Sequence, residues 1–181
     1  MELAYFITFS TYGTWLHGTS KGKGSVDREH NQHGTPFVEP EASWEARSPG
    51  DTKQAPYTMR DREREIVRDA IVALCRAKAW KLLAVHVRSN YVHVVIAVDR
   101  DPGRVMSDMK AQASRALTRA GFDDAARKRW TRHGSTLHLF DEALEDDKID
   151  YTLNRQGAPM AIYDVRDSRD QESRARRVLP E

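Results

Sequence analysis

An α+β fold built on an antiparallel sheet is what this sequence predicts, and three observations predict it. Short runs of aromatic and β-branched residues alternate with segments of helical period. Two of those runs, Lys81–Arg88 and Tyr91–Val98, are separated only by Ser89-Asn90, a pair suited to a tight hairpin turn. The whole order is strand, helix, strand, strand, helix, strand, followed by one more helix.

Each element follows from its residues. Leu3–Thr11 holds Tyr5, Phe6, Ile7, Thr8 and Phe9, which suit a buried strand. Thr58 with Asp61 three residues on resembles a capping box, after which Ile66, Val67, Ala70, Ile71, Leu74 and Cys75 repeat at helical spacing to about Ala79. The two runs of the hairpin follow and should pair antiparallel. Asp101-Pro102 opens a second helix with Val105, Met109, Ala113, Ala116, Leu117 and Ala120 on its apolar face, and Gly121 stops it. Ser135–Phe140 is the next strand, and Asp141 caps a third helix running to about Asn154.

This order is the split βαββαβ arrangement of ferredoxin-like folds, with the helices on one face of the sheet and an additional C-terminal helix. The second face is expected to stay open for a ligand. The chain has 181 residues, 39% hydrophobic and 31% charged, which suits one domain over residues 1–165. Residues 18–56 carry Gly, Pro, Ser and charge without an apolar period and form a long loop or insertion. Residues 166–181 are expected to form a charged, flexible tail.

Net charge is only +2, since 29 basic residues face 27 acidic ones, so a nucleic-acid site must come from charge distribution. The single cysteine, Cys75, excludes a disulfide framework and a thiolate zinc cluster. His17, His30, His33 and His133 match no zinc-ligand spacing. The first residues form no signal peptide, and no run of eighteen apolar residues exists. A cytoplasmic protein with no membrane contact is expected.

Period-two alternation in Tyr91–Val98 sends Val92, Val94, Ile96 and Val98 toward the helices, and Tyr91, His93 and Val95 toward the open face. If Ser89-Asn90 is a two-residue turn, Val87 faces Val92 and His86 lies opposite His93. On the third helix, at about 100° per residue, Tyr151 points away from the apolar pair Ile149 and Leu153. Lys148, Asn154 and Arg155 share its side. Cations beside a phenol favour the phenolate and also bind phosphate.

Two segments carry a resemblance. Ser89-Asn90-Tyr91-Val92-His93-Val94-Val95-Ile96 resembles the Pro-Asn-His-hydrophobic-His-hydrophobic hairpin of the insertion-sequence and REP-associated tyrosine transposases, one-tyrosine members of the HUH nucleases. Ile149-Asp150-Tyr151-Thr152-Leu153-Asn154 is similar to the helix-borne segment that carries that family's nucleophile. With the element order, the resemblance extends over roughly residues 3–160.

The resemblance implies DNA transposition by cutting and joining single-stranded or hairpin DNA, with Tyr151 as the catalytic residue that forms a 5′-phosphotyrosine link. It implies a divalent metal, Mg or Mn, held by two histidines, of which His93 is present and the first is replaced by Tyr91, a degenerate position. His86, across the hairpin, is the candidate to replace it. The family's third, polar ligand falls on Asn154 or Gln156. Helical geometry favours Asn154, because Gln156 lies about 140° from Tyr151 on a continuous helix, although Gly157 allows the helix to end first.

A phosphate and base contact strip is expected at Arg127, Lys128, Arg129, Trp130, Arg132 and His133, joined by Lys148 and Arg155 beside the tyrosine. The runs Tyr12–Gly18 and Gly24–Asn31 suit backbone tracking and base stacking, whereas Arg174, Arg176 and Arg177 of the tail suit a solvated end. A homodimer is compatible with this reading, with Tyr151 serving its own chain or its partner's. The alternative is a silenced module that binds a DNA or RNA hairpin without cutting it.

Overall fold

The computed structural model describes residues 4–14 and 54–167. Most of the 18–56 loop, with His17, His30, His33 and the run from Gly24, lies outside the described residues, as does the tail from residue 168. The described elements are β1 (Ala4–Ser10), α1 (Asp61–Ala77), β2 (Lys81–Val87), β3 (Tyr91–Ala97), α2 (Pro102–Arg119), β4 (Ser135–Leu139), α3 (Glu142–Asn154) and β5 (Ala161–Asp164). The strands form one antiparallel sheet in the order β4-β1-β3-β2-β5. The first four are the ferredoxin-like sheet. β5, absent from the sequence expectation, adds a fifth strand against the outer edge of β2.

The register of the hairpin is the one expected from a two-residue turn. Val87 pairs with Val92 and His86 with His93, and Arg88 N–H donates to the Tyr91 carbonyl at 2.9 Å. The irregularity between Leu82 and Ala84 shifts the pairing on β2. Leu82 joins the core under α1 and α2, while Leu83 and Ala84 join the opposite one.

The larger core lies between the sheet and the helices α1 and α2. Ile7, Phe9, Val85, Val87, Val92, Val94 and Ile96 meet Val67, Ile71, Val105, Met109 and Leu117 there. The start of α1 differs in detail from the expected box at Thr58 and Asp61. The helix begins at Asp61, so the acid three residues past its cap is Glu63. Glu63 accepts from Arg60 N–H at 3.0 Å and from the Tyr57 hydroxyl at 2.6 Å. Burial pushes the Glu63 carboxyl up, but the bonds from Tyr57 and Arg60 outweigh it and hold its pKa below the usual value.

The second face of the sheet is not open. α3 runs across it from β4 over β3 to β2, and Leu144, Ile149 and Leu153 pack on Phe6, Leu83, Ala84, Val95, Ala97 and Leu137. A sequence pattern misses this cover because Thr152, a polar residue with its side chain fully buried, sits within the packed arc of the helix. About 100° from Thr152, Tyr151 lies on the flank of that arc, half-buried rather than turned away from the sheet.

Candidate active site

His93 projects from β3 into the second face, as alternation requires, but it is only 8% exposed because α3 lies over it. Its Nδ1 lies 2.7 Å from Thr8 Oγ1, on the residue it pairs with in β1. Burial, with His86 and Arg88 nearby, lowers the His93 pKa to about 4 against an opposing hydrogen bond to Gln156. The ring is therefore a neutral imidazole at pH 7.

Around His93 stand three aromatic rings. Tyr91 lies 4.8 Å away between ring centroids, Phe6 5.1 Å and Tyr151 5.7 Å. Phe6 also meets Tyr151 edge-on at 5.9 Å. The nucleophile candidate is thus braced by the sheet, a rigid arrangement for a side chain that must be aimed. Lys148 Nζ and Arg155 Cζ stand 5.5 Å and 5.6 Å from the centre of the Tyr151 ring. Asp147 pairs with both cations and its carboxyl is held down to about 2 by hydrogen bonds from Lys148 and Arg155. Asp150 pairs with Arg155 at 2.9 Å.

Of the two candidates for a polar third group, the structure brings Gln156 to the site and not Asn154. Asn154 is exposed, and its Nδ2 donates to Asp150 at 2.8 Å. α3 ends there, and Gly157 at φ +78° takes a left-handed conformation that lets the chain double back. Arg88 Nη1 holds the Ala158 carbonyl at 2.9 Å. Gln156 consequently turns inward, accepting from the Tyr91 hydroxyl at 3.1 Å and donating to the Tyr151 carbonyl at 3.2 Å.

His86 does face His93 across the hairpin, yet it is not available as a ligand. Its Nδ1–H donates to the Thr152 carbonyl at 2.9 Å, and its Nε2 accepts from Met160 N–H at 3.2 Å. The ring is fully buried, with both nitrogens committed to backbone, and burial lowers its pKa. It fastens the end of α3 to β2.

The divalent ion implied by the resemblance does not fit these donors. With His86 committed, the cluster offers one buried imidazole, one amide oxygen and a phenol. Burial raises the Tyr91 pKa, and the neighbouring Tyr151 adds to the rise against the pull of Arg88, so that phenol stays protonated. Among the described residues no group of three His, Cys, Asp or Glu side chains is placed to hold a metal. Magnesium and manganese favour carboxylate, imidazole and water ligands.

The basic strip divides. Arg129 is 2% exposed and donates through Nη2 to the carbonyls of Phe122 and Asp124, so it belongs to the interior rather than to a contact surface. Trp130 is half-buried against Phe9, and its indole N–H serves the Lys110 carbonyl and Ser114. Arg127 clasps Gln54, Ala55 and Pro56 and lies over the Tyr57 ring. Lys128 Nζ lies 5.6 Å from the Tyr12 ring centre. Lys128, Arg132 and His133 are the exposed members. The strip borders the Tyr91 end of the sheet, since Thr131 N–H donates to Ser10, which pairs with Tyr91.

Thr8, Phe6 and Arg88 are site residues that the sequence reading missed. Thr8 and Phe6 are brought to His93 and Tyr151 by the long-range pairing of β1 with β3, and Arg88 reaches the 155–160 turn through the Ala158 carbonyl.

Residues 52–137 match the family model described as Transposase IS200 like, a span just under half the chain that includes Tyr91 and His93 and stops before Tyr151. A solved REP-associated tyrosine transposase bound to a REP hairpin is similar over 86% of this chain and 67% of its own, at 11% identity and a TM-score of 0.46. No curated protein matches the chain. Among the described residues no helix is long and apolar enough to cross a membrane.

Proposed function

We propose that this chain is a transposase-type protein of the IS200-like kind, acting on single-stranded, hairpin-bearing DNA with Tyr151 as its nucleophile. The observation that carries the reading is the setting of Tyr151: braced against His93 and Phe6 on the sheet, with Lys148 and Arg155 beside its ring. In this reaction the Tyr151 oxygen bonds to the phosphorus of a phosphodiester. The bond from phosphorus to the 3′ oxygen breaks, the phenol loses its proton, and the 3′ oxygen gains one. One ester replaces another, so the 3′ hydroxyl can reverse the reaction without an energy source. Lys148 and Arg155 would meet the charge on the phosphate oxygens by exchanging Asp147 for DNA. Arg132, His133 and Lys128 would hold the flanking strand.

A second reading, a module that binds the hairpin and does not cut it, is favoured by Tyr91 in place of the first histidine. Both readings meet one experiment. The protein is incubated with labelled single-stranded hairpin DNA and the products are resolved on a denaturing gel. A covalent protein–DNA adduct that Tyr151→Phe abolishes supports cutting. Salt-sensitive binding that survives Tyr151→Phe, with no adduct from a broad hairpin pool, supports the binding module.

A further inference from the structure

We infer that Tyr91 stands where an ion would stand, tying Gln156 to β3 through a hydrogen bond, so that this site is held together without a divalent metal. The inference rests on the proposed function only for the choice of site. The phenol hydroxyl needs an acceptor once buried, and it finds Gln156 Oε1 at 3.1 Å. The other end of that amide is fixed on the Tyr151 carbonyl at 3.2 Å, so turning the amide would set its oxygen against that carbonyl. The one amide oxygen beside His93 is thereby engaged by a proton donor and held toward β3. His93 is braced on the Thr8 side at 2.7 Å, and His86 has no free nitrogen. A single imidazole remains, which is too few donors for magnesium or manganese.

The same contact ties the tyrosine pair into one unit: the Tyr91 hydroxyl, the Gln156 amide and the backbone of Tyr151 form a continuous chain. Tyr91 therefore acts as a positioning residue for the helix end that bears Tyr151. An imidazole at position 91, on the same strand face as His93 and next to Gln156, would complete a three-donor set. The substitution Tyr91→His is then sufficient to create a metal site.

Titration with manganese chloride alone, followed by the electron paramagnetic resonance signal of the free ion, tests this without DNA. The wild type is expected to leave the signal undiminished at equimolar ion, Tyr91→His to remove it, and His93→Ala or Gln156→Ala added to Tyr91→His to bring it back. Should Tyr91→His be recovered unfolded, Tyr91→Glu, which brings a carboxylate in place of the phenol, answers the same question. Uptake of one manganese by the wild type, lost in His93→Ala, would overturn the inference. So would a folded Tyr91→His that takes up no ion. Neither result depends on whether Tyr151 forms an adduct, so failure here and failure of the proposed function are read separately.

Discussion

The imidazole of His86 holds the carbonyl of Thr152 at 2.9 Å, joining β2 to the last turn of the helix that carries Tyr151. Its other nitrogen takes Met160 N–H, and no solvent reaches the ring. His86→Ala would leave the buried Thr152 carbonyl without its partner and free the Met160 N–H. It is expected to cost about 3 kcal/mol of stability, measured by urea unfolding. A variant as stable as the wild type would show that this clamp does not support the helix.

Folding also makes stability depend on acid. The folded pKa of His93, about 4, lies below its ordinary 6.5, mainly through burial. Above 6.5 neither state carries the proton. Between 6.5 and 4 the unfolded chain binds it and the folded chain does not, so stability falls as pH falls through that window. His86, lowered in the same direction, adds to the loss. For His93 alone the effect at pH 4 is on the order of 3 kcal/mol. Urea unfolding at a series of pH values should show a steeper acid loss for the wild type than for His93→Gln, and parallel curves would contradict the assignment.

Two arginines three residues apart should behave oppositely. Arg129 is interior and bonded to Phe122 and Asp124, so Arg129→Met is expected to destabilise by about 2 kcal/mol. Arg132 is exposed, and Arg132→Ala should change stability by less than ~0.5 kcal/mol while lowering the salt dependence of hairpin binding by about one unit of slope. Melting curves and binding isotherms at several salt concentrations separate the two. Equal effects on binding with no effect on stability would mean that the strip acts as one surface.

The hairpin and its register were legible because both rest on local signals, alternation and a two-residue turn. That Tyr91 and His93 share one face of β3 was legible for the same reason, and the structure sets Tyr151 beside them. The covered face was not, because the packed arc of α3 includes the polar Thr152. Helical geometry favoured Asn154 over Gln156, but α3 ends at Asn154 and the chain turns through Gly157, the alternative that swings Gln156 inward. Arg129 and Trp130 looked like contact residues because charge in a sequence carries no mark of burial, and their partners come from distant segments. His86 was placed correctly, but its backbone partners, Thr152 in the last turn of α3 and Met160 just before β5, lie far along the chain and carry no mark in the periodicity.

The order of the strands has a mechanical consequence. β4 and β5 are the two outer strands of the sheet, and α3 is the segment between them. The helix is thus a crossbar pinned to opposite rims of the plate it spans. The five-residue β4 leads into it and the four-residue β5 follows it, so the shorter rim is the weaker hinge. The helix that carries Tyr151 is therefore tethered at both ends to strands that have a neighbour on one side only.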